Sequence, residues 1–224
     1  MGLKGGTEMV RWMLAWLILL VAANGAAAGE GPGVEEILAG LEARYAAAGL
    51  EARFTQVSNL QAMEITDTAE GRLWIRRPGR MRWEYTAPEP QTIVTDGDRL
   101  WIYRPLDRQV MIGSAPSFFG EGKGAGFLAD IGQLRQQFDV SRTPEAPEGS
   151  HGLTLVPRRQ QPDLVRVELE IAAADSTIEA VTTFNAYGDK TRIVLKDVVF
   201  PDHLDDALFR FEIPEGVEIV QMDQ

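Results

Sequence analysis

Residues 71–110 read GRLWIRRPGRMRWEYTAPEPQTIVTDGDRLWIYRPLDRQV, and this stretch decides the fold. Short runs of alternating apolar and polar residues are separated by Pro-Gly, Pro-Glu-Pro, Asp-Gly and Pro-Leu-Asp, which are turn-forming combinations. Asp-Gly between two such runs is among the strongest sequence signals for a β-hairpin. The pattern therefore predicts a meander of antiparallel strands, in which successive side chains point to opposite faces of the sheet.

The alternation assigns the side chains of this meander to two faces. Leu73 and Ile75 share one face of their strand, and Met81 and Trp83 share one face of the next. Most arginines of the stretch fall on the other face, where we expect them to be solvated. Arg77 differs, because counting by twos places it on the same face as Ile75. An arginine at the edge of an apolar face needs acceptors, and its donors could reach the carbonyls at a nearby helix end.

The same period of two recurs on both sides of this stretch, and about eleven strands are predicted in total. An amphipathic helix is predicted before them, from about residue 33 to residue 48, stopped by Gly49. So many short, turn-linked strands indicate a mainly β barrel or sandwich, with the few helices packed on one side or end. Outside the meander, strands are predicted around 51–60, 137–141, 153–157, 165–171, 178–185, 191–195 and 208–213.

Residues 113–126 interrupt the strands and read GSAPSFFGEGKGAG. Helical spacing of the apolar residues that follow predicts a short amphipathic helix from about 125 to 134. A glycine-rich segment beside such a helix fits a lid over a binding site. A flexible loop leading to a core helix fits the same pattern equally well. We call residues 113–134 the candidate lid.

The first residues, 1–28, have the pattern of a secretory signal peptide: a positive start, an apolar run and small residues before the expected cleavage site. We therefore expect residues 29–224 to form a single soluble domain. The net charge of −11 disfavours nucleic acid as a partner. The absence of cysteine excludes disulfides and thiolate metal sites, and a secreted chain without cysteine suits a bacterial periplasm.

The sequence shows no arrangement of residues typical of catalysis. His151 and His203 stand alone in polar surroundings, there is no G-x-S-x-G motif, and the glycine-rich segment lacks the spacing of a phosphate-binding loop. We predict no catalytic residue, no metal site and no cofactor, and hence no enzyme. A pair of acidic residues meeting in the fold stays open, and with it an envelope hydrolase as the weakest alternative.

The residues of the meander resemble a known family. Phe54-Thr55-Gln56, the run at 71–85 and the run at 91–105 are similar to the bacterial outer-membrane lipoprotein carrier protein family, LolA. The leading helix and Leu208-Phe209-Arg210-Phe211 match that family's two ends, so that the resemblance extends over residues 33–220. It implies an unclosed antiparallel β-barrel of about eleven strands, covered by a short-helix lid, with an apolar cavity.

The resemblance also implies a function. Proteins of this family are periplasmic chaperones that accept acylated lipoproteins from an inner-membrane lipoprotein-releasing ABC transporter and deliver them to an outer-membrane receptor lipoprotein. We expect this chain to do so as a monomer. The alternative is a lipid-sensing regulatory domain of the bacterial envelope on the same fold.

The resemblance assigns roles to particular residues. Arg77 aligns with the arginine that latches the lid through its backbone. The predicted acyl-chain cavity is lined by Leu73, Ile75, Met81 and Trp83. The lid residues that it suggests are Phe118, Phe119, Phe127, Leu128 and Ile131.

Overall fold

The computed structural model describes residues 31–119, 128 and 131–222, apart from the side chain of Phe119. The predicted signal peptide at 1–28 lies outside these residues. The twelve strands in this described part of the chain are β1 Gly49–Leu60, β2 Ile65–Arg76, β3 Arg80–Ala87, β4 Gln91–Thr95, β5 Arg99–Arg104, β6 Gln109–Ser114, β7 Phe138–Arg142, β8 Ser150–Pro157, β9 Arg166–Ala172, β10 Ile178–Phe184, β11 Lys190–Val199 and β12 Glu218–Gln221. They form one sheet in the order β12-β6-β5-β4-β3-β2-β1-β11-β10-β9-β8-β7.

The sheet is unclosed, with β12 at one end of the strand order and β7 at the other. Neighbouring strands are antiparallel throughout, except that β12 runs parallel to β6. The longest pairing joins β1 to β2, and β1 also pairs with β11, which connects the two halves of the sheet. The prediction of a mainly β, unclosed antiparallel sheet is therefore confirmed, apart from the parallel pairing of β12 with β6.

The predicted last strand, at 208–213, is wrong. Residues Asp206–Phe209 form a 3-10 helix instead, and an oxygen of the Asp205 side chain accepts the backbone N–H of Ala207 at 2.9 Å, which caps it. The phenylalanine that ends this turn is only 1% exposed. Burial of that ring, together with packing of Phe211 on Trp101 and Tyr103, explains why apolar residues alternate here without forming a strand.

The helices also differ from their predicted bounds. Helix α1 covers Val34–Arg44 and ends short of residue 48, because Gly49 is already paired with Arg76 in the sheet. The other helical elements before the candidate lid's end are a 3-10 turn at Gln61–Met63 and α2 Ala115–Phe119. In the described part of the candidate lid, a 3-10 turn at Ile131–Gln133 leads into a short helix, α3 Leu134–Gln137, rather than ending a helix at 134. Among the described residues, no helix has the length and apolar character needed to span a bilayer.

One face of the sheet carries the main buried cluster. This face is covered by α1 and by Leu128, Ile131 and Leu134 of the candidate lid, and we call it the covered face. A second, smaller cluster lies on the opposite face, where Trp74 packs with Leu204 and Phe209 from the C-terminal segment. The sheet is therefore packed on both faces, by different parts of the chain.

Candidate functional site

The four residues predicted to line a cavity lie side by side on the covered face. Strand pairing places Leu73 opposite Trp83 and Ile75 opposite Met81. None of the four side chains is more than 4% exposed, and all belong to the main buried cluster. The ring of Phe54, from β1, meets Trp83 edge to face with 4.9 Å between the ring centroids. The structure thus brings these residues together as one continuous apolar surface.

Two segments cover that surface. Helix α1 contributes an apolar stripe at the spacing of 3.6 residues per turn, and its buried residues are Ile37, Leu38 and Leu41. The candidate lid contributes Leu128 and Ile131, which are at most 2% exposed. The covered face is therefore closed over by apolar side chains from both segments.

The other three predicted lid residues have different positions. Phe118 lies on α2 and is 43% exposed, so it faces solvent to a large extent. Phe119 ends the same helix, but its side chain is outside the described part of the structure. Phe127 also lies outside the described residues. Leu128 and Ile131 are accordingly the two predicted lid residues whose side chains the structure places against the sheet.

Arg77 joins the two covering segments. Its Nη1 donates to the carbonyl oxygen of Ala47 at 2.8 Å, just beyond the end of α1, and its Nη2 donates to the carbonyl oxygen of Leu128 at 3.2 Å. The guanidinium carbon also lies 5.2 Å from the centre of the Tyr45 ring. A single planar group with several donors can serve both carbonyls at once. This geometry connects the β2–β3 turn, the end of α1 and the candidate lid.

Burial affects Tyr45 itself. Its hydroxyl oxygen accepts the backbone N–H of Ile178 at 3.0 Å, and desolvation raises the pKa of the phenol to about 12. This hydrogen bond ties the end of α1 to β10.

A second connection, which was not predicted from the sequence, joins α1 to the region after the candidate lid. Arg135 donates through Nε to a carboxylate oxygen of Glu42 at 2.6 Å, and its Nη1 forms an ion pair with Glu35. The hydrogen bond to Glu42 is the main reason that the pKa of Arg135 is raised. The available signal was the spacing of seven between the two glutamates, which places them on one face of α1.

A polar strip runs beside the apolar surface on the same face. The Tyr85 hydroxyl donates to the side-chain oxygen of Gln56 at 3.1 Å, and the Gln56 amide donates to the Ser58 hydroxyl at 3.2 Å. The Thr191 hydroxyl also donates to that serine at 3.2 Å. Burial raises the pKa of Tyr85 to about 12. The covered face thus changes from apolar to hydrogen-bonded along β3, between Trp83 and Tyr85.

On the opposite face, two of the arginines that were expected to be mostly solvated are instead largely buried. The side chains of Arg76 and Arg82 are only 15% and 20% exposed. Arg76 donates to the carbonyl oxygen of Leu204 at 3.1 Å, and Arg82 donates to that of Leu208 at 3.2 Å. Arg76 also pairs with Asp206, and this hydrogen bond lowers the pKa of that carboxyl. These two arginines hold the C-terminal segment on the sheet.

Comparisons with known proteins agree with this architecture. The model of the family described as outer membrane lipoprotein carrier protein LolA matches residues 46–212. The outer-membrane lipoprotein carrier protein of Alkalilimnicola ehrlichii is 30% identical over 77% of this chain and 77% of its own. The corresponding protein of Halorhodospira halophila is 28% identical over 92% of both chains.

One solved structure shows the same fold at low sequence identity. It is an uncharacterized conserved protein from Thermus thermophilus, which superposes with a TM-score of 0.54 at 17% identity. The match covers 84% of this chain and 98% of that protein. Because the family model covers well over half of the chain and the relatives match over most of their length, this chain belongs to the family of outer membrane lipoprotein carrier proteins, LolA.

Proposed function

We propose that this protein is a periplasmic carrier of lipoproteins, which holds their acyl chains against the covered face while the candidate lid is displaced. The observation that carries the proposal is the position of Arg77. Its guanidinium bridges the carbonyls of Ala47 and Leu128 at the edge of an otherwise apolar cluster. A few hydrogen bonds at the edge of an apolar surface are suited to a lid that opens and closes again.

The free energy gained by burying an acyl chain is comparable in size to the free energy lost when the candidate lid leaves the covered face. Burying an acyl chain with about fifteen methylenes contributes roughly 12 kcal/mol, at about 0.8 kcal/mol per CH₂. Moving Leu128, Ile131 and Leu134 off the covered face costs roughly 5–9 kcal/mol, at about 1.5–3 kcal/mol for each buried side chain. An acyl chain that replaces these side chains is therefore bound, but not so tightly that release is prevented.

We further propose the route of transport. The protein accepts acylated lipoproteins released by an inner-membrane ABC transporter and delivers them to a receptor lipoprotein at the outer membrane. Membership of the LolA family and the names of its relatives support this route. Hand-over to the receptor needs no nucleotide at this protein, provided that the receptor binds the acyl chains more strongly.

Binding is tested first. Purified protein is titrated with a fluorophore that brightens in apolar surroundings, and a synthetic diacylated lipopeptide is then added. The proposal predicts a bright complex from which the lipopeptide, but not the same peptide without acyl chains, displaces the probe. A signal equal to that of an unrelated β-sheet protein would refute binding.

Transport is tested by depletion in the native bacterium. Accumulation of outer-membrane lipoproteins in the inner membrane is the expected result. Correct sorting together with altered envelope-stress signalling would instead favour the lipid-sensing alternative.

A further inference from the structure

The indole of Trp83 carries a donor that nothing in the described part of the chain satisfies. The side chain is 4% exposed, and its Nε1–H has no acceptor within hydrogen-bond distance among those residues. Its cross-strand neighbours are Leu73 and Ile93, and its ring packs against Phe54. A buried donor without an acceptor leaves its loss of hydration uncompensated. A phenylalanine at this position would fill an apolar face without that cost.

The surroundings of this donor change polarity along one strand. Met81, two residues before Trp83, is 2% exposed within the apolar cluster. Tyr85, two residues after it, is hydrogen-bonded to Gln56 at 3.1 Å. Trp83 therefore lies where the apolar surface meets the polar strip. A ligand with an apolar tail and a polar head would have its junction at this level.

We propose that the indole N–H of Trp83 donates a hydrogen bond to the carbonyl oxygen at the head of a bound acyl chain. This inference rests on the proposed function, because it concerns how the same ligand is held. Every acyl group carries a carbonyl where its methylenes end, and an ester carbonyl accepts a hydrogen bond but has no donor of its own. The chain then extends over Leu73 and Met81, and the rest of the lipid head lies toward Tyr85.

The proposal makes Trp83 a determinant of specificity for acyl over alkyl lipids. A hydrogen bond of net strength about 0.5–1.5 kcal/mol corresponds to a preference of about two- to twelvefold. The probes are a dipalmitoylglyceryl-cysteine peptide and its dihexadecyl ether counterpart, which has the same chains but no ester carbonyl. Displacement of a fluorophore gives the affinity of the protein for each.

Three proteins are compared. The wild type should bind the ester about two- to twelvefold more tightly than the ether, and Trp83→Phe should bind both equally. Trp74→Phe is the matched control, because Trp74 is also buried, at 9% exposed, but lies in the cluster on the opposite face. This variant should keep the wild-type preference.

A spectroscopic readout covers the case in which Trp83→Phe does not fold. In ¹⁵N-labelled wild-type protein, the indole N–H resonance of Trp83 should move downfield on adding the ester and not on adding the ether. Spectra of Trp74→Phe and Trp101→Phe identify the other indoles of residues 31–222 by elimination.

The outcomes separate this inference from the proposed function. Equal binding of both lipopeptides by the wild type would leave the carrier function standing and overturn the role of Trp83. A preference that persists in Trp83→Phe, or an indole resonance that moves equally with both ligands, would overturn it too. Failure of the wild type to bind either lipopeptide would overturn both proposals.

Discussion

Replacing Arg77 with leucine should loosen the candidate lid without unfolding the sheet. The substitution keeps the apolar stem and removes the donors to the carbonyls of Ala47 and Leu128. Among the described residues of the candidate lid, Leu128 accepts a hydrogen bond from Arg77, and hydrogen bonds involving a charged group contribute about 1.5–3 kcal/mol. Loss of the bond to Leu128 should raise the population of the opened segment by about 10- to 150-fold.

Hydrogen exchange measures this opening directly. Backbone amides of residues 131–137 should exchange about 10- to 150-fold faster in Arg77→Leu than in the wild type, because local opening governs their exchange. Amides of β9 and β10 serve as the internal reference, since they report global unfolding.

The adjacent arginine provides the matched control. Arg76→Leu removes a hydrogen bond to Leu204 on the opposite face, so faster exchange is expected in the C-terminal segment and not at 131–137. If Arg77→Leu leaves exchange at 131–137 unchanged, or accelerates every amide equally, the latch role is refuted.

Three further predictions concern stability. Phe209→Ala should lower the free energy of unfolding by about 3–5 kcal/mol in denaturant titrations, because it leaves a cavity in place of a ring that is 1% exposed. An unchanged denaturation midpoint would contradict a role of Phe209 in the core. The pKa of Glu170 is lowered by its hydrogen bonds to Arg192 at 2.6 and 2.8 Å, so the stabilisation is present above the ordinary glutamate pKa and is lost as pH falls through the lowered one. Glu170→Gln should therefore lose less stability in acid than the wild type does. Parallel curves of unfolding free energy against pH for the two proteins would contradict a contribution of the Glu170–Arg192 pair. Burial raises the pKa of Tyr85 to about 12, so its neutral form stabilises the fold below the ordinary tyrosine pKa and this contribution is lost as pH rises toward 12. In Tyr85→Phe, tyrosinate absorbance should lose amplitude near pH 12, and an unchanged alkaline titration would contradict the burial of this phenol.

The sequence predicts the covered face well, because each strand reveals its two faces by local alternation. Counting residues by twos is enough to place Leu73, Ile75, Met81 and Trp83 on one face, and the same counting distinguishes Arg77 from the other arginines. The turn residues between the strands predicted the meander for the same local reason.

The C-terminal segment could not be predicted in this way. Residues 208–213 alternate like a strand, but Phe211 packs on Trp101 and Tyr103 of the opposite face, with ring centroids 6.4 and 5.7 Å away. These contacts join residues more than a hundred positions apart, so no local pattern reveals them. The parallel pairing of β12 with β6 depends on the same long-range placement.

Ion pairs and hydrogen bonds between different elements of the site could not be predicted from the sequence either. Arg135 lies just beyond the helix predicted at 125–134 and has no predicted role, yet it connects that region to Glu35 and Glu42 on α1. The sequence gives charges and spacings within one element, whereas ion pairs between elements depend on how those elements pack. Arg76 and Arg82 illustrate the same point on the opposite face, where the C-terminal segment covers them.

Photocrosslinking shows whether acyl chains occupy the covered face. A diacylated lipopeptide with a diazirine near the end of one chain is bound, irradiated and mapped by mass spectrometry. We predict adducts on residues 73–83, whose apolar side chains form the covered face. The same reaction is repeated with an excess of unlabelled acylated peptide, and with an excess of the peptide that lacks acyl chains. Adducts concentrated on the C-terminal segment would contradict binding of acyl chains to the covered face, as would a yield that the two competitors lower equally.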